Sequence, residues 1–387
     1  MTADRSRSIT SLVHSVVSPR TSVRTVGVEE ELLLIDAHTS EPAQVAELLL
    51  QRELPPLADT GELVTEVKQE QIEVVGAPHQ LLPDIAAAIR AGRDRADAAA
   101  RRVGARTVAM ATSATAVSPH LVDTPRYQSM LTQFGLTMRE QLTCGFHIHV
   151  AIDSPEEGVA VLDRIRIWLP LILALSSNSP LWQGQDSGYA SYRYQTWRRW
   201  PTAGAYEPFG SAANYNGAVQ ALVNTGVLLD EGMVYFDARL SRNHPTVEIR
   251  IADVCLNANH AAALAALARA LVETESRAWR DGRLVASAST VLLSLASWRA
   301  SKSGVDDCLL HPRLGVPCSA RSAADVLLNH VRPVLAEFGD AAEVEASIEA
   351  ILVGGSGATR QRGVWAQTRD VHAVITDAIA QTHGLAR

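Results

Sequence analysis

The stretch TVGVEEELLLID, residues 25–36, places three consecutive acidic residues inside a run that is otherwise apolar. The valine, leucine and isoleucine residues around them predict a buried β-strand. Side chains at positions i and i+2 of a strand point to the same face, so Glu29 and Glu31 share one face and Glu30 occupies the other. A strand core accepts such carboxylates only when a cation or a hydrogen-bond donor compensates each of them.

Three further segments repeat this arrangement of two polar residues at strand spacing within an apolar run. The pairs are Gln71 with Glu73 in EQIEVV, His147 with His149 in CGFHIHVAI, and Glu248 with Arg250 in PTVEIRIAD. If the four strands belong to one sheet, one face of that sheet gathers carboxylates, imidazoles and a guanidinium group. Clustered carboxylates cannot neutralise one another, and a ligand set rich in oxygen favours Mg²⁺ or Mn²⁺. The pattern therefore predicts that the acids of the first strand bind metal ions.

Each pair also has an ordinary structural interpretation. Two acids at this spacing are typical of an exposed strand face or of an ion pair. The two histidines also suit a packed core or a zinc site, and Glu248 with Arg250 can form a salt bridge on one face. The recurrence of the spacing in four apolar segments favours a common site, provided that the segments form a single sheet.

The composition, the cysteine spacing and the length of the apolar runs predict a soluble cytoplasmic protein. Of the 387 residues 47% are hydrophobic and 20% charged, which allows a large packed core, and the formal charge of -7 argues against a nucleic-acid partner. The four cysteines are far apart and form no CxxC pair, which fits a reducing compartment. The longest apolar run, IWLPLILAL at residues 167–175, is too short to cross a membrane. Whether the chain forms a homo-oligomer stays open.

Strand-like and helix-like segments alternate along the chain. We expect residues 1–23 to form a flexible N-terminal tail and residues 24–387 a single catalytic domain. Ser154, Pro155 and Glu157 predict a helix start with a capping box, and Gly282 predicts a helix end. The C-terminal third, from about Ser319, is expected to be mostly amphipathic helix. The predicted strands are 25–35, 66–75, 107–112, 143–152 and 245–254, and the predicted helices include 84–103 and 259–280.

Carboxylate-bound hard metals commonly hold polyphosphate, which points to phosphoryl transfer. Arg250, Arg193 and Arg198 are candidates to bind phosphate or carboxylate, because a guanidinium fork matches both geometries. The Walker A, GxGxxG and GxSxG motifs are absent from the sequence. The segment VGGSGATRQR, residues 353–362, is equally compatible with a phosphate loop and with a helix-ending loop that carries surface arginines.

Five segments together resemble the carboxylate–amine ligases of the glutamate–cysteine ligase type 2 (YbdK-like) family. They are TVGVEEELLLID, CGFHIHVAI, the aromatic loop SSNSPLWQGQDSGYASYRYQTWRRWPTAG at 176–204, YFDARLSRNHPTVEIRIADV at 235–254, and GGSGATRQR at 354–362. The resemblance implies a glutamine-synthetase-like α+β fold, with an antiparallel sheet bent into a funnel and helices packed outside. It also supplies the single sheet that the strand pattern requires.

The resemblance further implies which residues act. The expected metal ligands are Glu29, Glu31, Glu73, His147 and Glu248, with Mg²⁺ or Mn²⁺ as cofactor and ATP as co-substrate. The expected catalytic residues are Arg250 and Arg193. The residues expected to contact substrate or nucleotide are Arg198, Gln71, Asn178 and Arg362.

The implied reaction joins the γ-carboxylate of L-glutamate, or of a similar acid, to an amine such as L-cysteine through an acyl phosphate. Three alternatives stay open at this point. A phosphotransferase of the guanidine-kinase type has the same fold, a metallohydrolase would use a similar ligand set without nucleotide, and a structural metal protein would have no activity. Neither a nucleic acid nor a membrane is expected as a partner.

Overall fold

The computed structural model of the chain describes residues 23–53 and 61–385. The predicted N-terminal tail, residues 1–23, lies outside the described residues except for its last position. The prediction that residues 24–387 form one catalytic domain stays a prediction. Within the described ranges, each helix is too short or too polar to cross a lipid bilayer.

Seven of the eleven strands in the described residues form one antiparallel sheet, with the segment that carries three acids at its centre. The strands are β1 (Val26–Asp36), β2 (Glu62–Thr65), β3 (Gln71–Val75), β4 (Ala105–Val108), β5 (Phe146–Ala151), β6 (Leu181–Trp182), β7 (Gln185–Asp186), β8 (Ala238–Leu240), β9 (Thr246–Ile249), β10 (Cys308–Leu310) and β11 (Pro317–Ser319). The order in the sheet is β2-β3-β1-β5-β9-β8, and β4 pairs with the second half of β1. The two remaining strand pairs, β6–β7 and β10–β11, are separate hairpins.

Fourteen α-helices occur in the described residues. They are α1 (Ala46–Gln51), α2 (Leu82–Arg101), α3 (Pro125–Phe134), α4 (Leu136–Glu140), α5 (Pro155–Ile165), α6 (Leu169–Ser176), α7 (Tyr192–Trp197), α8 (Ala212–Asn224), α9 (Ala258–Arg280), α10 (Thr290–Ser303), α11 (Ala320–Phe338), α12 (Ala341–Gly354), α13 (Gly357–Thr368) and α14 (Val371–Thr382).

One face of the sheet is apolar and lies against helices. Val28 of β1, Ile148 of β5 and Ile249 of β9 are paired across neighbouring strands, and all three are buried. The long helix α9 packs behind them, and its alanine-rich surface allows close approach to the sheet. Glu30 points to this face, where Arg93 of α2 donates to it over 2.6 and 2.9 Å. The middle acid of β1 is therefore neutralised by a helix, whereas its two neighbours point to the opposite face.

Most of the predicted strands are confirmed with shifted ends. The segments predicted at 25–35, 143–152 and 245–254 correspond to β1, β5 and β9, and the segment at 107–112 corresponds to β4. The prediction of one strand at 66–75 is wrong, because the chain leaves the sheet between β2 and β3. Lys68 turns inward there and donates to the carbonyl oxygens of Pro119 and Arg139, while the Glu70 carboxylate accepts from the backbone of His120.

The predicted helices are also confirmed, with one error in a cap. The segments 84–103 and 259–280 correspond to α2 and α9, and Gly282 follows α9 with a positive φ. Ser154 caps α5 by accepting from the backbone amide of Glu157. The capping box is not formed, because the Glu157 carboxylate accepts from the amide of Asp153 and from the side chain of Arg24. The C-terminal third is helical, as predicted.

Candidate metal and substrate site

The polar pairs predicted on four strands lie on one face of one sheet. In the strand register Glu31 is opposite Glu73, Glu29 is opposite His147, and His149 is opposite Glu248. These side chains line a cavity of about 310 Å³, called the sheet cavity below. Its lining contains the five predicted metal ligands together with Gln71 and Arg250. The assumption of a single sheet is therefore correct.

Three carboxylates meet at one end of the sheet cavity. One oxygen from each of Glu31, Glu66 and Glu73 lies within 4.8 Å of the other two. Burial raises the pKa of Glu66 to about 7, and the Glu31 carboxylate acts in the same direction. Burial and three neighbouring carboxylates raise the pKa of Glu73 well above its ordinary value. Such mutual repulsion is relieved when a cation is bound between the groups.

Two imidazoles lie beside Glu29. His147 Nδ1 is 3.1 Å from Glu29 Oε2, and His149 Nε2 is 3.2 Å from Glu29 Oε1. His149 Nδ1 is 3.0 Å from Thr246 Oγ1, whereas its buried Nε2 makes no well-aligned hydrogen bond to any described residue. Burial, together with the Arg250 guanidinium, lowers the pKa of His147. Neutral imidazole is the form that binds metal ions, so the His147 ring has the chemistry of a ligand.

The donor groups fit a hard divalent cation. Ligand atoms lie within 4.8 Å of one another in three groups, namely Glu29–Glu73–His147, Glu29–His149–Glu248 and Glu31–Glu66–Glu73. The groups overlap and consist mainly of carboxylate oxygen, which is the preference of Mg²⁺ and Mn²⁺. The buried, poorly partnered nitrogen of His149 agrees with this fit.

Glu248 differs from the other acids because two arginines already hold it. Arg239 donates to both of its oxygens over 2.7 and 3.2 Å, and Arg250 pairs with its Oε1. Burial disfavours the ionised form, but the two guanidinium groups outweigh burial and hold the pKa of Glu248 far below its ordinary range. The carboxylate is therefore ionised and fixed in position.

Arg193 lies behind the sheet cavity. It is only 2% exposed, and it donates to the carbonyl oxygens of Arg250 and Ile251 over 3.2 Å each. Its guanidinium lies 3.8 Å from the Asp253 carboxylate. Arg193 therefore supports the backbone that carries Arg250 and is not among the residues that line the cavity. Its catalytic role stays a prediction.

Three residues predicted to contact substrate or nucleotide lie outside the sheet cavity. Asn178 is fully buried and donates to the carbonyl oxygens of Ala109 and Val254, so its amide is used within the core. Arg198 is exposed at the end of α7. Arg362 forms an ion pair with Asp186 at 2.7 Å. These positions depend on contacts between segments that are far apart in the chain, and no local sequence pattern reveals such contacts.

The structure also brings residues to the cavity that sequence reasoning left out of the site. They are mainly aromatic and basic: Arg126, Tyr127, Trp197, Tyr235, Arg239, Arg242 and His149. The sequence does contain a signal for His149, because it shares a strand face with His147. The sequence contains a weaker signal for Arg239, which lies in the segment 235–254 that carries the family resemblance. The sequence contains no signal for Arg126 and Tyr127, because they come from α3, which carries none of the polar strand pairs or family motifs quoted above.

The family model described as "Glutamate-cysteine ligase family 2(GCS2)" matches residues 25–378. A protein of Paenarthrobacter aurescens strain TC1 is 50% identical over 369 residues, which cover 94% of this chain and 96% of the relative. A protein of Streptomyces avermitilis is 46% identical over 362 residues, which cover 94% of this chain and all of the relative. Both have the name "Putative glutamate--cysteine ligase 2-1".

The fold is similar to that of a solved glutamate–cysteine ligase from Francisella tularensis, whose crystal structure is a complex with AMP. The TM-score is 0.66 at 11% identity, and the match covers 94% of this chain and 89% of the other. At this identity the likeness establishes the fold alone. The predicted glutamine-synthetase-like α+β class, with an antiparallel sheet and helices outside it, is confirmed.

Proposed function

This chain belongs to glutamate–cysteine ligase family 2 and is a carboxylate–amine ligase, and from that premise we propose that it uses ATP to join the γ-carboxylate of L-glutamate to an amine such as L-cysteine. The observation that carries the proposal is the convergence of five carboxylates and two imidazoles on one face of the sheet cavity. The clustered carboxylates would repel the phosphate groups of a nucleotide unless divalent cations were bound between them.

We propose that Glu29, Glu31, Glu73, His147 and Glu248 hold Mg²⁺ or Mn²⁺, and that Glu66 and His149 complete the ligand set. Bound there, a divalent cation would neutralise the charge on the phosphate oxygens of ATP. The ordered carboxylates serve as fixed ligands because the sheet register holds them in place before any substrate arrives.

The reaction that fits this site has two steps. A γ-carboxylate oxygen of glutamate attacks the γ-phosphorus of ATP, which forms an acyl phosphate and releases ADP. The amine nitrogen then attacks the acyl carbon, the carbon–oxygen bond to phosphate breaks, and the amine loses a proton. Arg250 lies at the cavity lining, and its positive charge would stabilise the phosphoryl group in the first step and the leaving phosphate in the second.

The walls of the cavity would protect the acyl phosphate from water. Trp197 and Tyr235 line it with ring centroids 4.8 Å apart, and Tyr127 lies in the same lining. A water-poor cavity strengthens the electrostatic interactions within it and slows hydrolysis of a reactive intermediate.

The test is a coupled assay with Mg-ATP, glutamate and a series of amines. A ligase releases ADP and phosphate only when both the acid and the amine are present. A phosphotransferase yields ADP and a phosphorylated product, and a hydrolase needs no nucleotide. Release of ADP that does not depend on the amine would contradict the proposal.

The matched variants are Glu29→Gln and Glu62→Gln, which make the same chemical change inside and outside the cavity. Glu29 lines the cavity, whereas Glu62 is exposed on β2. We expect Glu29→Gln to remove turnover while the circular dichroism spectrum is retained, and Glu62→Gln to keep both. Full activity of Glu29→Gln would refute the metal-ligand assignment.

A further inference from the structure

One proposed metal ligand is not held by the sheet. Of the seven residues in the proposed ligand set, six lie on β1, β3, β5 and β9, where pairing between strands fixes their positions. Glu66 lies outside every strand in the described part of the chain, because β2 ends at Thr65 and β3 begins at Gln71. Residues 66–70, called the β2–β3 connection below, therefore need another anchor if Glu66 is to keep its place among the ligands.

The β2–β3 connection holds the Glu66 carboxylate through its own backbone. The amide of Val67 donates to Glu66 Oε2 over 3.2 Å. The carbonyl oxygen of Val67 accepts from the amide of Val122 over 3.1 Å. The amide of Gln69 donates to the carbonyl oxygen of His120 over 2.9 Å. The position of Glu66 therefore depends on how this connection packs against the loop before α3.

Lys68 lies at the centre of the β2–β3 connection and points into the protein. It is only 1% exposed, and its Nζ donates to the carbonyl oxygen of Arg139 over 3.0 Å and to that of Pro119 over 3.4 Å. A buried ammonium group is costly unless acceptors such as these receive its hydrogen bonds. One cation thus joins the β2–β3 connection, the loop before α3 and the end of α4.

The three segments that Lys68 joins all contribute to the sheet cavity. The connection supplies Glu66, the loop before α3 leads into Arg126 and Tyr127, and the end of α4 is followed by Gln141 and Thr143. Gln141 also donates to Thr143 Oγ1 over 2.6 Å. Loss of the anchor is expected to affect Glu66 most, because the other proposed ligands keep their strand pairing.

We propose that Lys68 is a positioning residue of the ligase, whose ammonium group holds the β2–β3 connection so that Glu66 can bind a divalent cation together with Glu31 and Glu73. This inference rests on the proposed function, which assigns a divalent cation to these carboxylates. An ammonium group has no lone pair with which to bind a metal ion, so Lys68 acts through Glu66 and not as a ligand. Removal of a group that orients a metal ligand typically changes metal affinity or activity by about 10- to 100-fold.

The experiment measures the binding of Mn²⁺ alone, without nucleotide or substrate, by electron paramagnetic resonance. The variants are Lys68→Met, which removes the charge and the donors, and Lys68→Gln, which keeps an amide donor. Glu66→Gln is prepared alone and in combination with Lys68→Gln. The matched control is Arg269→Met, because Arg269 is also a buried cation that donates to a backbone carbonyl oxygen, that of Gln80. Arg269 is not among the residues that line the sheet cavity.

We expect Lys68→Met to raise the Kd for Mn²⁺ by about 10- to 100-fold, and Lys68→Gln to raise it by a smaller factor. The Mg²⁺ concentration that gives half of the maximal ligase rate should rise in parallel. Arg269→Met should lower Tm yet leave the Kd within about 2-fold of the wild-type value. In the Glu66→Gln background Lys68→Gln should have little further effect on the Kd, because the ligand that Lys68 holds is already lost.

Three results would overturn the inference. The first is an unchanged Kd for Mn²⁺ in the folded Lys68 variants. The second is an equal loss of affinity on Lys68→Gln with and without Glu66→Gln, since Lys68 would then not act through Glu66. The third is a Lys68→Gln protein that circular dichroism shows to be unfolded, because the role of Lys68 would then be stability alone.

The same titrations separate this inference from the proposed function. If the wild type binds Mn²⁺ and the Lys68 variants bind it equally well, the role of Lys68 fails while the proposed function stands. Weaker binding of Mn²⁺ to the Lys68 variants supports the inference even if no amine is ligated. A wild type that binds no Mn²⁺ would overturn both the cation site and the role of Lys68.

Discussion

The guanidinium group of Arg193 occupies the space into which a side chain at Gly145 would extend. The backbone amide of Gly145 donates to Glu31 Oε2 over 2.5 Å, so the same residue holds a candidate metal ligand. A Cβ atom added at Gly145 would also lie 3.0 Å from His147 Nε2. A residue without a side chain is therefore required where a ligand-bearing strand passes a buried arginine.

Gly145→Ala should place a methyl group against Arg193 and His147. We expect turnover to fall about 10- to 100-fold, because small displacements of catalytic groups have effects of this size, and the free energy of unfolding to fall by about 1–3 kcal/mol. Gly217→Ala is the control, since nothing lies within 4 Å of that position in α8. The measurements are ligase kinetics and urea denaturation; an unimpaired Gly145→Ala enzyme would show that the contact is unimportant.

Glu73→Gln should abolish ligase activity and make the metal-free protein more stable. Removing one of three converging carboxylates relieves their mutual repulsion. We therefore expect the free energy of unfolding of the metal-free variant to exceed that of the metal-free wild type by about 1–2 kcal/mol. The same change should abolish ligase activity and the rise in Tm that Mg²⁺ produces in the wild type. Thermal denaturation in EDTA and in Mg²⁺ measures both effects, with Glu62→Gln as the control. An undiminished Mg²⁺-induced rise in Tm would contradict the assignment of Glu73 as a ligand.

Asp237 should make the stability of the protein depend on pH. Burial raises the pKa of this carboxyl to about 7, against the opposing effects of Tyr194 and two arginines. The ordinary aspartate pKa is about 3.9 in the unfolded chain, so between pH 4 and 7 the folded state binds more protons. The contribution of Asp237 to the free energy of unfolding therefore falls as the pH rises through this interval and stays low above it.

The variant Asp237→Asn removes this titration and retains a hydrogen-bonding side chain. We expect its stability relative to the wild type to increase from pH 4.5 to pH 8, by on the order of 2–4 kcal/mol. Denaturant unfolding at several pH values provides the comparison. Asp325→Asn, a change at an exposed position of α11, serves as the control. Parallel stability curves for Asp237→Asn and the wild type would exclude the raised pKa.

Arg24→Met should destabilise the fold strongly. Arg24 bridges Glu157 of α5 at 2.7 Å and Glu273 of α9 at 2.5 Å, and all three side chains are buried. Loss of the cation leaves the buried Glu157 carboxylate without a charge partner, whereas Glu273 keeps Arg277 at 2.7 Å and Arg280 at 3.3 Å. An unpaired buried charge of this kind costs about 3–5 kcal/mol. Arg283→Met breaks an exposed pair and should cost less than about 1 kcal/mol. Urea denaturation of the two variants tests this contrast, and similar losses in both would refute it.

The sequence alone was sufficient to predict the central strand, the face on which Glu29 and Glu31 lie, and the likeness to the ligase family. These predictions depend on strand periodicity and on contiguous motifs, which are local properties of the chain. Local patterns also predicted the Ser154 cap and the end of α9 before Gly282.

Only the tertiary structure decided which polar groups share a cavity and which are used elsewhere. Arg193 was predicted to act in catalysis and Asn178 to contact substrate or nucleotide. In the structure both side chains donate to backbone carbonyl groups of distant segments, which sequence patterns do not reveal. Arg126 and Arg242 reach the cavity because α3 and the β8–β9 connection fold over its mouth. The partner of a charged side chain depends on how segments far apart in the chain pack against each other. The spacing of residues in the sequence does not show how close such segments lie in the folded protein.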